Sequence, residues 1–154
     1  PLPEQTDTQP GSRVMSYADN TLSEERDGRT VWKMTASQVN VDIDTNDTSM
    51  VQIDGTFYTE DGRSLTLKAA EGRMDSVTRD VVVTGNIEAQ TSDGASLRAK
   101  ELRWKAAEGS LSAEGDAEIV RDDIRATGDR IVSTDGFQKF SVIGNARIEK
   151  GGAQ

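Results

Sequence analysis

Apolar and polar residues alternate along almost the whole chain, and this alternation limits the folds that the sequence can adopt. Trp32, Met34 and Ala36 alternate with polar residues, and the same period of two returns in later segments. A period of two places successive side chains on opposite faces of a β-strand, whereas a helix needs spacings of three and four. No helical spacing persists for three turns. The alternation therefore predicts an almost entirely β protein.

Proline marks the limits of this alternating region. All three prolines fall within the first ten residues, and none follows. Residues 1–12 are polar and predict a linker or flexible tail, whereas residues 151–154 predict a flexible C-terminus. We expect residues 13–150 to form a single β domain, which agrees with the total length of 154 residues.

Four glycines recur at a nearly constant spacing and indicate an internal repeat. Gly55, Gly85, Gly115 and Gly144 are separated by 30, 30 and 29 residues, and each shares the parity of the apolar residues around it. We expect these four structural glycines to face inward and to mark bends, bulges or close approaches of the backbone. The pattern predicts four repeats of roughly 30 residues, which must stack or pair to bury their apolar faces.

Short polar segments between the alternating runs predict turns. The segment Asp42–Asp47 begins like a calcium-binding loop but lacks the glycine and the final glutamate that such a loop needs, so we interpret it as a turn. Asp-Gly dipeptides are the commonest turn signal in the chain. They occur at Asp27-Gly28, Asp54-Gly55, Asp61-Gly62, Asp93-Gly94 and Asp135-Gly136.

The composition excludes several classes of function. The chain has no cysteine and no histidine, so it lacks the side chains of thiolate and imidazole metal sites and of the common nucleophilic triads. Neighbouring carboxylates occur, but they have no apolar context that would raise a pKa. The formal net charge is −9, with basic residues spread along the chain, which disfavours nucleic acid as a partner. We expect a protein that is not an enzyme and that needs no cofactor and no metal.

The repeat resembles that of the OstA/LptA/LptC group of lipopolysaccharide-export proteins. Each matching unit joins a strand that ends in alanine to a strand that contains Gly-Asn or Gly-Asp. The opening segment Asp27–Ala36 resembles the first repeat of LptC more than that of LptA. The matching units are Leu67–Glu71 with Val83–Ile87, Leu97–Leu102 with Ala113–Ala117, and Ala126–Ile131 with Val142–Ala146.

This resemblance implies an open, twisted, antiparallel β-jelly-roll, also called a β-taco, with an apolar interior groove that binds the acyl chains of lipopolysaccharide. It implies a periplasmic protein that is anchored to the inner membrane by a helix preceding Pro1. The residues that we expect to line the groove share the inward parity of their strands. They are Trp32, Met34, Leu65, Leu67, Val81, Val83, Leu97, Trp104, Leu111, Ile119, Phe140 and Val142.

The resemblance also implies protein partners at the two edges of the sheet. The N-terminal edge would meet subunits of the inner-membrane ABC transporter, and the C-terminal edge would meet an LptA-like bridge protein. Both edges lack proline and could accept a further strand, so an edge-to-edge homo-oligomer is a further possibility. The expected edge residues are Val14, Met15, Ser16, Tyr17, Phe140, Val142, Gly144, Ala146 and Ile148.

The function implied by the resemblance is non-enzymatic transfer of lipopolysaccharide from the inner-membrane transporter to the periplasmic bridge. Two alternatives stay open at this point. One is a soluble bridge protein of the LptA type, and the other is a β-repeat adhesin or self-assembly module that binds no lipid.

Overall fold

The computed structural model describes residues 13–18, of which it gives the backbone, and residues 20–151. In these residues the chain forms eleven β-strands and no helix, so no described helix is long and apolar enough to cross a membrane. The prediction of an all-β chain is confirmed. The strands are β1 (Arg13–Ala18), β2 (Thr21–Arg26), β3 (Arg29–Val41), β4 (Thr48–Tyr58), β5 (Ser64–Met74), β6 (Val81–Thr91), β7 (Ala95–Lys105), β8 (Ser110–Arg121), β9 (Ile124–Ser133), β10 (Ser141–Ile143) and β11 (Arg147–Lys150).

The strands form one antiparallel sheet in which each strand pairs with its neighbours in sequence. The order runs from β1 to β10, and β11 pairs with β9 beside β10. The two ends of the sheet, β1 on one side and β10 with β11 on the other, do not pair with each other. The sheet is therefore open, as predicted for a β-jelly-roll.

The strands from β5 onward bend at a common line, which we call the corner. The register shifts by one residue between β5 and β6, between β6 and β7, between β7 and β8, and between β8 and β9. At these shifts a Gly-Asn or Gly-Asp pair has positive φ at both residues, as at Gly85 and Asn86 (97° and 56°) and at Gly115 and Asp116 (88° and 48°). Two successive left-handed residues bend a strand without ending it, and glycine adopts positive φ at little cost, which explains why the glycine recurs.

The four predicted structural glycines have two different roles. Gly85, Gly115 and Gly144 all have positive φ at the corner, and none of them is buried, so their predicted inward orientation is wrong. The two left-handed residues turn the backbone outward before the alternation resumes at Ile87. Gly55 is buried inside β4, where its backbone faces Met34 and Leu67, and its φ is not positive. The left-handed residue of β4 is Gln52 (φ 57°).

Bending at the corner brings the apolar face of the sheet against itself. Phe57 of β4 contacts Trp104 of β7, and Arg26 of β2 donates a hydrogen bond to the carbonyl of Ala106 (3.4 Å). A single sheet can bury its apolar side chains only in this way, and the residues of that face form one core in which Trp32 and Met34 are fully buried. The core consequently lies between two walls of one folded sheet.

At one end of the sheet the connecting turns stack on one another. In the turn Asp42–Asp47, the Asp42 carboxylate accepts hydrogen bonds from the N–H groups of Asp44 and Thr45 (2.8 and 3.2 Å), which confirms a turn here. Asp47 then accepts a hydrogen bond from the N–H of Ser76 in the next turn (2.9 Å). One turn further on, Asp80 accepts one from the N–H of Ala106 (2.9 Å). Each turn is thus joined to the next by a carboxylate.

Two local predictions are wrong. Asp54-Gly55 lies within β4 rather than in a turn, because the alternation of Ile53 and Phe57 continues through it. Glu24 and Glu25 are neighbouring carboxylates of the kind expected to have no apolar context, but Glu24 is buried, and its Oε1 lies 4.0 Å from Nη1 of Arg79. Glu24 has the same parity as the buried Leu22, so the alternation within β2 itself turns this carboxylate inward.

Candidate functional site

The twelve residues expected to line a groove all belong to the apolar core or pack against it. Nine of them are buried, and Trp104, Phe140 and Val142 are half-buried against that core. Phe140 lies outside any strand, just before β10. Most of the expected lining is therefore closed to solvent and packed between the two walls, and an accessible space is found at one mouth of the fold.

This space is a cavity of about 780 Å³ between the β4–β5 turn and the ends of β3, β7 and β9. Its apolar wall contains three of the expected residues, Leu65, Trp104 and Leu111, together with Val31 and Phe57. The ring centroids of Phe57 and Trp104 are 5.5 Å apart. The cavity thus reaches the apolar core at the point where the two walls meet.

Charged side chains of both signs surround the cavity. Arg29 lies 3.9 Å from Glu60, and Arg63 lies 3.1 Å from Asp61, so these guanidinium groups have anionic partners. The five acidic side chains along the cavity outnumber the three basic ones. They are Asp27, Glu60, Asp61, Glu108 and Asp135, against Arg26, Arg29 and Arg63. An arrangement of this kind offers little net attraction to an anion.

Two indole N–H groups in the interior have no hydrogen-bond partner among the described residues. They belong to Trp32, which is fully buried, and to Trp104 at the cavity wall. A buried donor without a partner costs about 1–3 kcal/mol relative to a satisfied one. The interior therefore has two sites where an oxygen acceptor would be favourable.

The segment Thr134–Phe140 between β9 and β10, which we call the strap, crosses one side of the cavity. Phe137 is its only fully buried residue, and Arg121 donates a hydrogen bond to the Phe137 carbonyl (3.0 Å). Arg63 donates to the carbonyl of Asp135 (2.6 Å). Asp93 lies 3.4 Å from Arg63 and 3.3 Å from Arg121, and it holds both guanidinium groups in place.

The carboxylates of Asp93 and Asp135, which hold the strap, are stabilised in their charged form. The pKa of Asp93 is lowered, chiefly by a hydrogen bond from Thr91; burial opposes this effect, and Arg121 and Arg63 lower the pKa further. For Asp135, burial is the largest single effect and acts to raise the pKa. Hydrogen bonds from the N–H of Lys139, the Ser133 hydroxyl and the N–H of Gln138 outweigh it, so the net shift is downward. Both groups are therefore anionic at neutral pH.

The expected partner-binding residues lie at the two open edges of the sheet. Val14, Met15, Ser16 and Tyr17 belong to β1, whose side chains are outside the described part of the structure. At the opposite edge the segment is divided, because Gly144 and Asn145 form the corner between β10 and β11. Among the remaining members of that edge, Phe140 directly precedes β10, and Val142, Ala146 and Ile148 lie in or between these two strands.

The edge at β10 and β11 exposes apolar side chains. Ile148 is 64% exposed and Ile143 is 43% exposed, the latter at a position that the sequence pattern did not single out. The edge itself carries no proline. Its backbone groups are therefore accessible to a further strand.

Reasoning from the sequence missed Val31, Phe57 and Phe137. Val31 directly precedes Trp32, so strict alternation assigned it to the opposite face. Phe57 follows the inward parity of Gly55 and Ile53, and this signal could have identified it. Phe137 lies outside any strand, and its position depends on contacts with Arg63 and Arg121 that no local pattern reveals.

Among residues 13–18 and 20–151, no group of acidic side chains is arranged to hold a metal ion. The described site thus consists of an apolar interior, a mixed-charge mouth and two open edges.

A known protein family and a solved structure both resemble this chain. A family model described as lipopolysaccharide-assembly, LptC-related, matches residues 3–149. A comparison with curated proteins gives no match. Among solved structures, the chain is similar to LptH, the LptA-homologous periplasmic component of the lipopolysaccharide transport device of Pseudomonas aeruginosa. The TM-score is 0.59 at 10% sequence identity, over 73% of this chain and 82% of LptH. That likeness shows the jelly-roll fold, and the family match over nearly the whole length shows that this chain belongs to the LptC-related family of lipopolysaccharide-assembly proteins.

Proposed function

We propose that this protein transfers lipopolysaccharide without enzymatic chemistry by sheltering its acyl chains between the two walls of the folded sheet. It would receive the lipid from the inner-membrane transporter and pass it to a periplasmic bridge protein. The observation that carries this proposal is the cavity of about 780 Å³ whose apolar wall is continuous with the core. Membership of the lipopolysaccharide-assembly family supports it and favours it over an adhesin that binds no lipid.

The energetics of the ligand fit an apolar interior. Removing an acyl chain from water contributes about 0.8 kcal/mol per methylene group, so a lipid with several chains needs shelter to cross an aqueous compartment. Phe57, Leu65 and Leu111 provide an apolar surface at the mouth. The unpaired indole N–H groups of Trp32 and Trp104 would be satisfied by ester or hydroxyl oxygens on the chains.

The charges at the mouth support recognition of the chains rather than of the phosphates. Arg29 and Arg63 already have carboxylate partners, and the acidic side chains along the cavity are in excess. A phosphate would therefore meet little free positive charge. Loss of apolar volume should weaken lipid binding more than the loss of any single arginine.

Photocrosslinking in cells tests this proposal. A photoreactive amino acid at Leu65 or Trp104, which line the cavity, should capture lipopolysaccharide. The same amino acid at Lys33 or Arg98, whose side chains are exposed on the outer face, is the matched control. Crosslinks confined to the outer positions would overturn the proposal.

A second pair of positions measures how deeply the chains enter. Trp32 and Leu67 are buried away from the cavity, so crosslinks there require the two walls to separate. Crosslinks at Leu65 and Trp104 without any at Trp32 or Leu67 would limit the lipid to the mouth. Crosslinks at all four positions would indicate that the chains run through the interior.

The open edges provide the proposed route to partners. We propose that β1 pairs with transporter subunits and that β10 and β11 pair with the bridge protein, by addition of a strand to the sheet. Lysine at Ile143 and Ile148 should weaken capture of the bridge protein, because charge on an edge strand opposes pairing. The double variant should leave the melting temperature nearly unchanged. Unaltered capture would exclude this edge, and concentration-dependent light scattering would reveal self-association instead.

The protein's location follows from the same proposal. We propose that it works in the periplasm, held at the inner membrane by a helix that precedes the described domain. Reading the coding sequence upstream of Pro1 tests this directly. An apolar segment of about 20 residues there would support an anchored protein, and a cleavable signal peptide would support a soluble bridge of the LptA type.

A further inference from the structure

The strap begins with a turn that the protein uses three times. In each copy a hydroxyl accepts a hydrogen bond from the N–H four residues later and donates to the aspartate two residues later. In the first two copies a strand follows at once, β5 at Ser64 and β7 at Ala95. In the third copy, β10 does not begin until Ser141. The three hydroxyls are those of Thr59, Thr91 and Ser133.

This delay places an aromatic side chain where the other copies begin a strand. Phe137 is fully buried in the apolar core, although it belongs to a connecting segment. Its φ is 67°, a left-handed conformation that is unfavourable for a bulky residue and costs of order 1–3 kcal/mol. Burial of the ring and the surrounding hydrogen bonds therefore hold Phe137 in a strained conformation.

The bonds that hold the strap can be released without breaking the sheet. Arg63 and Arg121 bind the strap through the carbonyls of Asp135 and Phe137. The Ser133 hydroxyl at the end of β9 also accepts a hydrogen bond from the N–H of Phe137 and donates one to the carbonyl of Lys139. No residue of the strap is paired in the strand ladder. Thr134, Gln138 and Lys139 are exposed. Phe140 is half-buried against the core, so Phe137 is the one fully buried side chain of the strap. A segment with so few buried side chains opens at a lower free energy than the strands beside it.

The strap also forms part of the cavity. Thr134, Asp135 and Gly136 line it, and Phe137 continues from them directly into the core. The apolar space that Phe137 fills therefore adjoins the space that an acyl chain would enter.

We propose that Phe137 is a built-in competitor of the lipid: its ring occupies the end of the acyl-chain site, and the strap moves outward when a chain takes its place. This inference rests on the proposed function and adds a means by which the protein regulates its affinity. The intrinsic affinity is reduced by the fraction of molecules in which the strap is closed. Occupancy by the lipid and closure of the strap then exclude each other.

The first test removes the ring of Phe137. Binding of a fluorescent long-chain fatty acid and of purified lipopolysaccharide is compared for the wild type, Phe137→Ala and Ile131→Ala. Ile131 is equally buried but lies on β9, so its variant controls for loss of core packing. We expect Phe137→Ala to bind at least about fivefold more tightly and Ile131→Ala to show no gain.

The outcomes separate the two proposals. If the wild type binds lipid and Phe137→Ala binds equally or more weakly, the competitor is overturned and the proposed function stands. If none of the three proteins binds lipid, the proposed function falls and the competitor with it.

A disulfide lock tests the movement independently of any new cavity. A Cβ built on Gly136 would lie 2.5 Å from Cγ2 of Thr59, so Thr59→Cys with Gly136→Cys places two thiols within bridging reach, in a chain that has no other cysteine. The same double variant is measured oxidised and reduced, which cancels the cost of the substitutions. We expect about tenfold weaker binding when it is oxidised and recovery on reduction. Equal affinity in the two states would overturn movement of the strap.

Discussion

Phe57 and Trp104 meet across the folded sheet with their ring centroids 5.5 Å apart and their planes tilted by 44°. This contact joins β4 to β7, which are not neighbours in the strand order, and it lies at the wall of the cavity. The pair therefore reports on the separation of the two walls at the mouth.

The first prediction uses tryptophan fluorescence, because Trp104 of this contact is one of the natural fluorophores of the chain. The chain has two tryptophans, so Trp32→Phe leaves Trp104 as the single reporter and Trp104→Phe leaves Trp32. Fatty acids brominated along the chain should quench Trp104 more strongly than Trp32, because Trp104 lines the cavity and Trp32 is fully buried. Equal quenching of the two would show that the chains reach the deep interior, and quenching of neither would contradict binding at the mouth.

The second prediction separates the two roles of the glycines. Gly85→Ala should lower the free energy of unfolding by about 2–4 kcal/mol, because it places a side chain at positive φ and its Cβ 2.5 Å from that of Ala70. Gly55→Ala should cost less, about 1 kcal/mol, since its φ is not positive and the added Cβ needs only a small shift of Cγ of Met34, 3.3 Å away. Urea unfolding measures the free energy of unfolding of both variants. An equal loss in the two would argue against a separate role for the glycines of the corner.

The third prediction concerns the stacked turns. Asp80→Ala should lower the free energy of unfolding by about 1–2 kcal/mol, because it removes the acceptor of the hydrogen bond from the N–H of Ala106. Asp44→Ala is the control, since the Asp44 carboxylate accepts no hydrogen bond among the described residues. That variant should stay within about 0.5 kcal/mol of the wild type. A similar loss in both variants would mean that the carboxylate link does not stabilise the stack.

The fourth prediction is a loss of stability in acid. The pKa of Asp93 is lowered by the hydrogen bond from Thr91 and by Arg121, and the pKa of Asp135 is lowered despite its burial. A carboxyl group whose pKa is lower in the folded chain stabilises that chain above its usual value of 3.8, and the stabilisation is lost as the pH falls through the folded pKa. The free energy of unfolding should therefore decrease below a pH of about 4.

Substitution of Asp93 tests whether this loss of stability in acid arises from the carboxylates that hold the strap. Asp93→Asn should lower stability at neutral pH and flatten the decrease in acid, because the charge that titrates is gone. Asp44→Asn, at a side chain that accepts no hydrogen bond among the described residues, is the matched control. Urea unfolding at a series of pH values measures both, and an identical profile for wild type and Asp93→Asn would assign the effect to other carboxylates.

The period of two was sufficient to predict the strands and the inward face of the sheet. Trp32, Met34, Leu97 and Ile119 are buried as their parity requires, because a strand with one apolar face has only one way to place it against a core. The same reasoning failed at Gly85, since parity assumes a regular pleat and two left-handed residues interrupt it. The glycine signal was real, but its physical basis is a bend rather than an inward position.

The mouth of the fold could be predicted only in part. Leu65, Trp104 and Leu111 follow the alternation and do line the cavity. The position of Phe137 depends on arginines that bind its strap from 72 and 16 residues away, through hydrogen bonds to backbone carbonyls. Such bonds do not depend on the identity of the residue that accepts them, so they leave no motif in the sequence.

Pairing of each strand only with its neighbours in sequence has a consequence for how such proteins vary in size. Every strand from β5 to β8 crosses the corner, so one strand's length fixes the width of the interior and the number of strands fixes its length. Insertion of one more hairpin would extend the passage by about 10 Å, two interstrand spacings, while its cross-section stayed the same. Reach across a compartment and fit to the acyl chains can therefore change independently in evolution.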